Sequence, residues 1–238
     1  MLRLPQTIQA CLFDLDGVLT DTAAVHARAW QQTFDAFLED RARRTGAPFV
    51  RFDPVRDYDE YVDGRERYDG VRSFLASRGI EVDEHTVVAI GDRENDLMLE
   101  LLRRDGVKVF DGSLQFVRAA RAAGLRRGVV SASANCRAVL EMAGIAGCFE
   151  VRVDGVVART KHLAGKPAPD LFLEAAKRLG VSPAGSAVFE DALAGVAAGR
   201  AGRFGLVVGV DRRGQAEALR AQGADVVVSD LSQLLEPE

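Results

Sequence analysis

The first apolar run of the chain, Cys11-Leu12-Phe13, stops at two aspartates separated by one residue and followed by a glycine, Asp14-Leu15-Asp16-Gly17. A strand interior disfavours Asp, and a carboxylate held near a core is costly unless a cation or hydrogen bonds compensate it. Two acids at the end of one buried strand therefore call for a compensating charge, and a bound Mg2+ would supply it. Side chains two residues apart on a strand point the same way. Once the strand ends, Gly17 lets the backbone turn so that the second carboxylate approaches the first from a loop.

Beyond Gly112 the pattern becomes a regular alternation. Helices are expected at 113–123, 135–143, 168–179, 192–201 and 215–221, and strands at 127–131, 148–153, 187–189, 205–210 and 225–228. Strands alternating with helices mean crossover units and a mostly parallel sheet with helices on both faces. The expected class is thus α/β, doubly wound, with a Rossmann-like core. Between the first strand and this series lies a mainly helical stretch. It comprises a helix at 23–44, with Ala29, Trp30, Thr33, Phe34 and Leu38 at helical spacing, and an irregular aromatic stretch at 48–64. A helix at 65–78, a short helix from Asp83 or Glu84 to Ile90, and another at 95–104 follow. The first strand has no nearby partner before residue 127, so 23–104 reads as a helical cap domain inserted into a catalytic core made of 1–22 and 105–238.

With 238 residues, 47% of them apolar, the chain can bury a sizeable core. A formal net charge of -4 offers no electrostatic case for nucleic acid or an anionic membrane. Cys11, Cys136 and Cys148 have neither an even count nor metal-ligand spacing, which suggests free packing thiols in a reducing compartment. No apolar run approaches the roughly 18 residues of a membrane span, and residues 1–10 lack the plan of a secretion signal. A cytoplasmic monomer is the expectation. Of 31 basic residues only Lys108, Lys161, Lys166 and Lys177 are lysines, so a lysine in a motif is more informative than usual.

In an open parallel sheet the ligand crevice lies beyond the carboxyl ends of the strands. Asp14 and Asp16 after the first strand, Ser131 after the second, and Glu190 with Asp191 after the fourth all fall on that one rim. Mg2+ prefers oxygen ligands and binds through one or two carboxylates plus substrate phosphate. Asp14 and Asp191 suit it, with the Asp16 carbonyl as a further ligand and Glu190 beside them. Standing alone, Glu190-Asp191 would read as the start of a helix; beside the aspartate pair it reads as a metal site. A carboxylate can act as nucleophile and form an aspartyl-phosphate. Ser131 could donate a hydrogen bond to the transferring phosphoryl group and Lys166 could supply charge. Asp16, two residues past Asp14, is the natural general acid/base.

Asp14-Leu15-Asp16-Gly17-Val18-Leu19-Thr20-Asp21-Thr22, Val129-Val130-Ser131, Lys166 and Glu190-Asp191 resemble, in order, the motifs of the haloacid dehalogenase superfamily. In that family the first Asp is the nucleophile and the second the general acid/base; dehalogenases lack the second, so the resemblance is to the phosphoryl-transfer branch. Adding His26 and Trp30, Gly64 with Arg67, Ser133 with Asn135, and Lys166-Pro167-Ala168-Pro169-Asp170 makes the chain similar to the beta-phosphoglucomutase-like subfamily. The resemblance implies that beta-glucose 1-phosphate and glucose 6-phosphate interconvert through phospho-Asp14 and a sugar 1,6-bisphosphate. It implies substrate contacts from Thr22, His26, Trp30, Gly64, Arg67, Ser133 and Asn135, with His26 taking part in gating Asp16 on cap closure. It also implies that Arg67, Ser133 and Asn135 hold the phosphate that is not reacting. Packing in the cap core is the competing reading for Trp30 and His26. Asp63 and Glu94 stand where lysines are expected, which should weaken anion binding and leaves Arg65 or Arg93 to compensate. Two other readings stay open: a Mg-dependent sugar-phosphate phosphatase on the same aspartyl-phosphate, and a phospho-accepting regulatory module. A nucleotide-binding dehydrogenase is disfavoured, because the first strand-to-helix turn lacks a Gly-x-Gly-x-x-Gly fingerprint.

Overall fold

The computed structural model describes residues 2–236. Among them, six strands, β1 (Ala10–Phe13), β2 (Arg126–Val130), β3 (Val151–Val153), β4 (Ser186–Glu190), β5 (Leu206–Val210) and β6 (Val226–Val228), form one sheet in the order β3-β2-β1-β4-β5-β6. Every pairing is parallel, with Phe13 opposite Val129 on one side and Phe189 on the other. Parallel strands are covered on both faces, and β1, β4 and β5 are accordingly buried along their whole length. The chain builds outward from β1 through β2 to β3, then returns to lay β4 against the other side of β1. That reversal opens a crevice at the carboxyl ends of β1 and β4. Phe13 stacks on Phe189 at 4.7 Å between ring centres and meets Phe116 edge-on at 6.1 Å, which packs the sheet directly beneath that crevice.

The described chain divides into two compact units: one takes in residues up to Asp21 and from Val107 onward, the other is Thr22–Gly106. The first holds the sheet and helices α5 (Asp111–Ala122), α6 (Cys136–Met142), α7 (Gly155–Lys161), α8 (Asp170–Leu179), α9 (Leu193–Ala201) and α10 (Ala216–Gln222). The second is helical, with α1 (Ala23–Thr45), α2 (Arg56–Tyr61), α3 (Arg67–Ser77) and α4 (Glu84–Asp105). Its core is aromatic: Trp30 stacks on Phe34 at 5.0 Å, and Phe34 meets Phe74 at 4.3 Å. Glu66 accepts hydrogen bonds from the Tyr68 and Asp69 amides to start α3, and Asp83 accepts from Thr86 to start α4.

Four local expectations change. The stretch read as irregular contains α2, started by Asp53, whose Oδ1 accepts from the Val55 and Arg56 amides at 2.9 Å each. The two helices expected at 83–90 and 95–104 are one continuous helix, α4. A Cβ on Gly91, in the middle of this helix, would lie 2.8 Å from the Tyr68 ring, so this glycine serves close packing of α3 on α4. The strand expected at 148–153 is confined to β3 and preceded by a 3₁₀ turn, Ala146–Cys148; Arg127 holds that turn through the Cys148 carbonyl and the Glu150 carboxylate. Finally, α7 was not foreseen; buried Asp154 starts it by accepting from the Val157 amide at 3.0 Å. Cys11, Cys136 and Cys148 are free thiols, and burial pushes the Cys11 thiol up to about 12, which keeps it an unreactive packing group.

Candidate active site

The crevice is floored by the loop that follows β1. Asp14 extends the ladder by one bond, its amide donating to the Phe189 carbonyl at 2.9 Å, and the chain then folds back on itself. The amides of Leu19 and Thr20 donate to the Leu15 carbonyl at 2.9 Å, and Gly17 donates to Thr20 at 2.8 Å. Gly17 has φ +83°, in the left-handed region, and a Cβ on it would lie 1.8 Å from Asp191 Oδ2. The Asp14-Gly17 loop and the Asp191 loop are thus pressed together with no room for a methyl group. Gly17→Ala is expected to cost at least about 1 kcal/mol, because the new side chain meets both an unfavourable φ and a carboxylate. Thermal denaturation checks this, and an unchanged Tm would contradict it.

Asp14, Glu190 and Asp191 are all buried, and one carboxylate oxygen from each lies within 4.8 Å of the others. Lys166 enters this cluster fully buried, donating to Asp14 Oδ1 at 2.5 Å and to Glu190 Oε1. Its peptide bond to Pro167 is cis, and its ammonium lies 5.1 Å from the centre of the Phe172 ring. Burial opposes the lysine charge, but Asp14 and Glu190 outweigh it, and the Lys166 pKa is raised. Burial pushes Asp14 well above the ordinary carboxylate range; Lys166 pulls it back, while Glu190 and Asp16 push it further up. Three buried carboxylates about one ammonium leave excess negative charge. All-oxygen donors in a space that only a glycine leaves open fit a hard divalent cation. Asp14 and Asp191 would hold it, with Glu190 beside them.

On the far side of β1, Ser131 ends β2 with its amide on the Val153 carbonyl at 3.0 Å. Its Oγ accepts from the Ser133 amide, and Ser133 Oγ accepts from the Asn135 amide, each at 3.1 Å. A Cβ on Gly155 would come within 2.6 Å of the Ala132 carbonyl, so the start of α7 packs directly under this serine turn. Within the first unit, the structure therefore brings together Asp14, Lys166, Glu190 and Asp191. Asp16 lies on the same tight loop, and Ser131, Ser133 and Asn135 line the turn after the neighbouring strand.

The remaining sequence candidates lie in the helical unit. Thr22 is buried at the start of α1, and Gly64 sits in the turn before α3 with φ +72°. Trp30 is not grouped with them: it lies in the aromatic core, because α1 turns its apolar face toward Phe52 and Phe74. His26 and Arg67 converge on Glu94. The carboxylate, 1% exposed, lies 3.3 Å from His26 Nδ1 and accepts from Arg67 Nε at 3.0 Å. Glu94, read as a charge that merely weakens anion binding, is a buried partner to two of the candidate substrate ligands.

Three residues in the loop after β5 escaped the sequence reading. Arg212 Nε donates to the Gly17 carbonyl at 3.1 Å, Arg213 Nη2 lies 4.0 Å from Asp191 Oδ2, and Gln215 Nε2 donates to the Asp191 carbonyl at 3.0 Å. Asp211 through Gln215 follow the carboxyl end of β5, on the same rim as the ends of β1, β2 and β4, and that position is the signal by which the sequence marks them.

A family model for a haloacid dehalogenase-like hydrolase matches residues 8–203. Beta-phosphoglucomutases of Mycobacterium bovis and Mycobacterium tuberculosis are each 57% identical to the chain over 247 aligned positions, covering 99% of it and 94% of the relative. A crystal structure of beta-phosphoglucomutase from Clostridium difficile is 28% identical, covers 96% of this chain and 93% of its own, and superposes with a TM-score of 0.77. The motif order, the buried carboxylate cluster and these matches agree: the chain belongs to the haloacid dehalogenase-like hydrolase family, in its beta-phosphoglucomutase-like branch.

Proposed function

We propose that this phosphoryl-transfer enzyme is a phosphosugar mutase that interconverts beta-glucose 1-phosphate and glucose 6-phosphate, with Mg2+ as its metal. The observation that carries this is Asp14, held by Lys166 among carboxylates, with a second aspartate two residues further on. Mg2+ held by Asp14 and Asp191 would offset negative charge on the phosphoryl group. In the first half-reaction Asp16 takes the proton from the sugar 6-hydroxyl as that oxygen attacks the phosphorus of phospho-Asp14. The bond from phosphorus to Asp14 breaks, and sugar 1,6-bisphosphate forms. After the intermediate turns around, an Asp14 oxygen attacks the 1-phosphate, and Asp16 returns its proton to the departing 1-oxygen. Glucose 6-phosphate leaves and Asp14 is phosphorylated again. Lys166 keeps the carboxylates from repelling one another and, with Ser131, steadies the transferring oxygens.

The helical unit is proposed as the cap, with Arg67, Ser133 and Asn135 on the phosphate that is not reacting and His26 assisting Asp16. Among the described residues no helix is long and apolar enough to cross a membrane. A cytoplasmic monomer acting on a small phosphosugar, with no nucleic-acid partner, is the proposed setting.

The rival is a phosphatase, in which water takes the phosphoryl group from Asp14. With Mg2+, a trace of glucose 1,6-bisphosphate and beta-glucose 1-phosphate, glucose 6-phosphate is expected to form far faster than inorganic phosphate. A coupled assay scored for both products checks this. Phosphate release without isomerisation would replace the mutase with the phosphatase.

A further inference from the structure

The loop after β5 touches both of the loops that carry the metal-holding carboxylates. Arg212 uses its planar fork on four acceptors: the Gly17 carbonyl at 3.1 Å, the Ser229 carbonyl at 2.9 Å, Asp230 Oδ2 at 3.0 Å and Ser113 Oγ at 3.3 Å. The guanidinium carbon also lies over the Phe110 ring, 3.8 Å from its centre. Ser113 in turn donates to the Val18 carbonyl at 2.6 Å, so the catalytic loop is held at two successive carbonyls. Three residues after Arg212, Gln215 donates to the carbonyl of Asp191. The segment joining the two is itself fixed, because Asp211 Oδ1 accepts from the amides of Arg213, Gly214 and Gln215 at 3.2, 2.7 and 2.8 Å. One short rigid loop therefore grips the nucleophile loop at one end and the Asp191 loop at the other. Those two loops are the pair that meet at Gly17 with no space for a methyl group.

We propose that Arg212 and Gln215 are positioning residues that set the separation of Asp14 and Asp191, and so the affinity of the divalent cation those carboxylates hold. This rests on the reading of Asp14 and Asp191 as metal holders. It does not depend on which sugar phosphate the enzyme takes, because its test needs no substrate. Four acceptors spread around one guanidinium cannot be met by an ammonium, which is a single point of charge on a flexible stem. Arg212→Lys should therefore lose the brace while keeping the charge.

The test is a calorimetric titration of the full-length protein with Mn2+. Partners that orient metal ligands typically change affinity by about 10–100-fold when removed, so Kd for Mn2+ is expected to rise at least tenfold in Arg212→Lys and in Gln215→Ala. Arg127→Met is the control for a purely structural loss. Arg127 is a comparably bonded, buried arginine, but its partners are Leu125, Cys148 and Glu150 near the amino ends of the strands. It should lower Tm and leave Kd for Mn2+ within twofold. If Arg212→Lys does not fold, Gln215→Ala decides. A Kd within twofold of wild type in the folded brace variants, or an equal rise in Arg127→Met, would overturn the proposal; failure of the mutase assay alone would not.

Discussion

Lys166→Met is expected to destabilise the protein by about 3–5 kcal/mol and to abolish measurable turnover. Removing one member of a buried ionic cluster leaves the others uncompensated, and that penalty is of this size. Here the orphans are Asp14 and Glu190, both of which accept from the same ammonium, and the lysine side chain is wholly buried, so solvent does not screen the loss. For a chain of this length the deficit corresponds to a fall in Tm of about 6–20 °C. The pH dependence follows from the signs of the two shifts. The Lys166 pKa is raised, so the stability it lends is complete below the ordinary lysine value of 10.5 and is lost only as pH climbs past the higher folded value. Asp14 is shifted upward as well, and without Lys166 it should move further in that direction. A carboxyl group whose folded pKa lies above its unfolded value favours the folded state at low pH and loses that advantage as pH rises. The deficit of Lys166→Met should therefore narrow as pH is lowered from 7 to about 5. Thermal melts of both proteins across that range check this, and a deficit that widens toward acid pH would contradict it.

Asp14→Asn should reduce kcat by roughly 10⁴-fold or more, because the amide cannot form the acyl phosphate and no later step can replace that bond. The fold should survive, since Asn can still accept from Lys166 at the same atom position and the loop bonds are made by backbone amides. Far-UV circular dichroism and a melt establish that it does. Residual turnover within about tenfold of wild type would show that another residue carries the phosphoryl group.

Much of this architecture was readable because local chemistry and tertiary role coincide. The aspartate pair ends an apolar run, so the sequence marks both a strand and its carboxyl end. The alternation after Gly112 implies parallel crossovers, and the six parallel strands follow from it. Lys166 is one of only four lysines among 31 basic residues, and its ammonium joins Asp14 to Glu190 across 152 and 24 residues of sequence. What escaped notice depends on partners distant in sequence. The continuity of α4 through Gly91 makes sense only with the Tyr68 ring placed against that glycine. Glu94 reads as an acid that weakens anion binding until His26 and Arg67 close on it from two other helices. Arg212 is one of many arginines, and its meaning lies in a carbonyl 195 residues away. Trp30 and His26 share a helical spacing, yet Trp30 joins the aromatic core while His26 meets a carboxylate. Periodicity identifies a face; it does not say which part of that face is covered.

Covalent phosphorylation of Asp14 is the step on which every proposed turnover depends. Enzyme exposed to radiolabelled sugar 1,6-bisphosphate and Mg2+, quenched in acid and digested, should carry label in the peptide containing Asp14, and Asp14→Asn should carry none. Label on a different peptide, or undiminished label in Asp14→Asn, would contradict it.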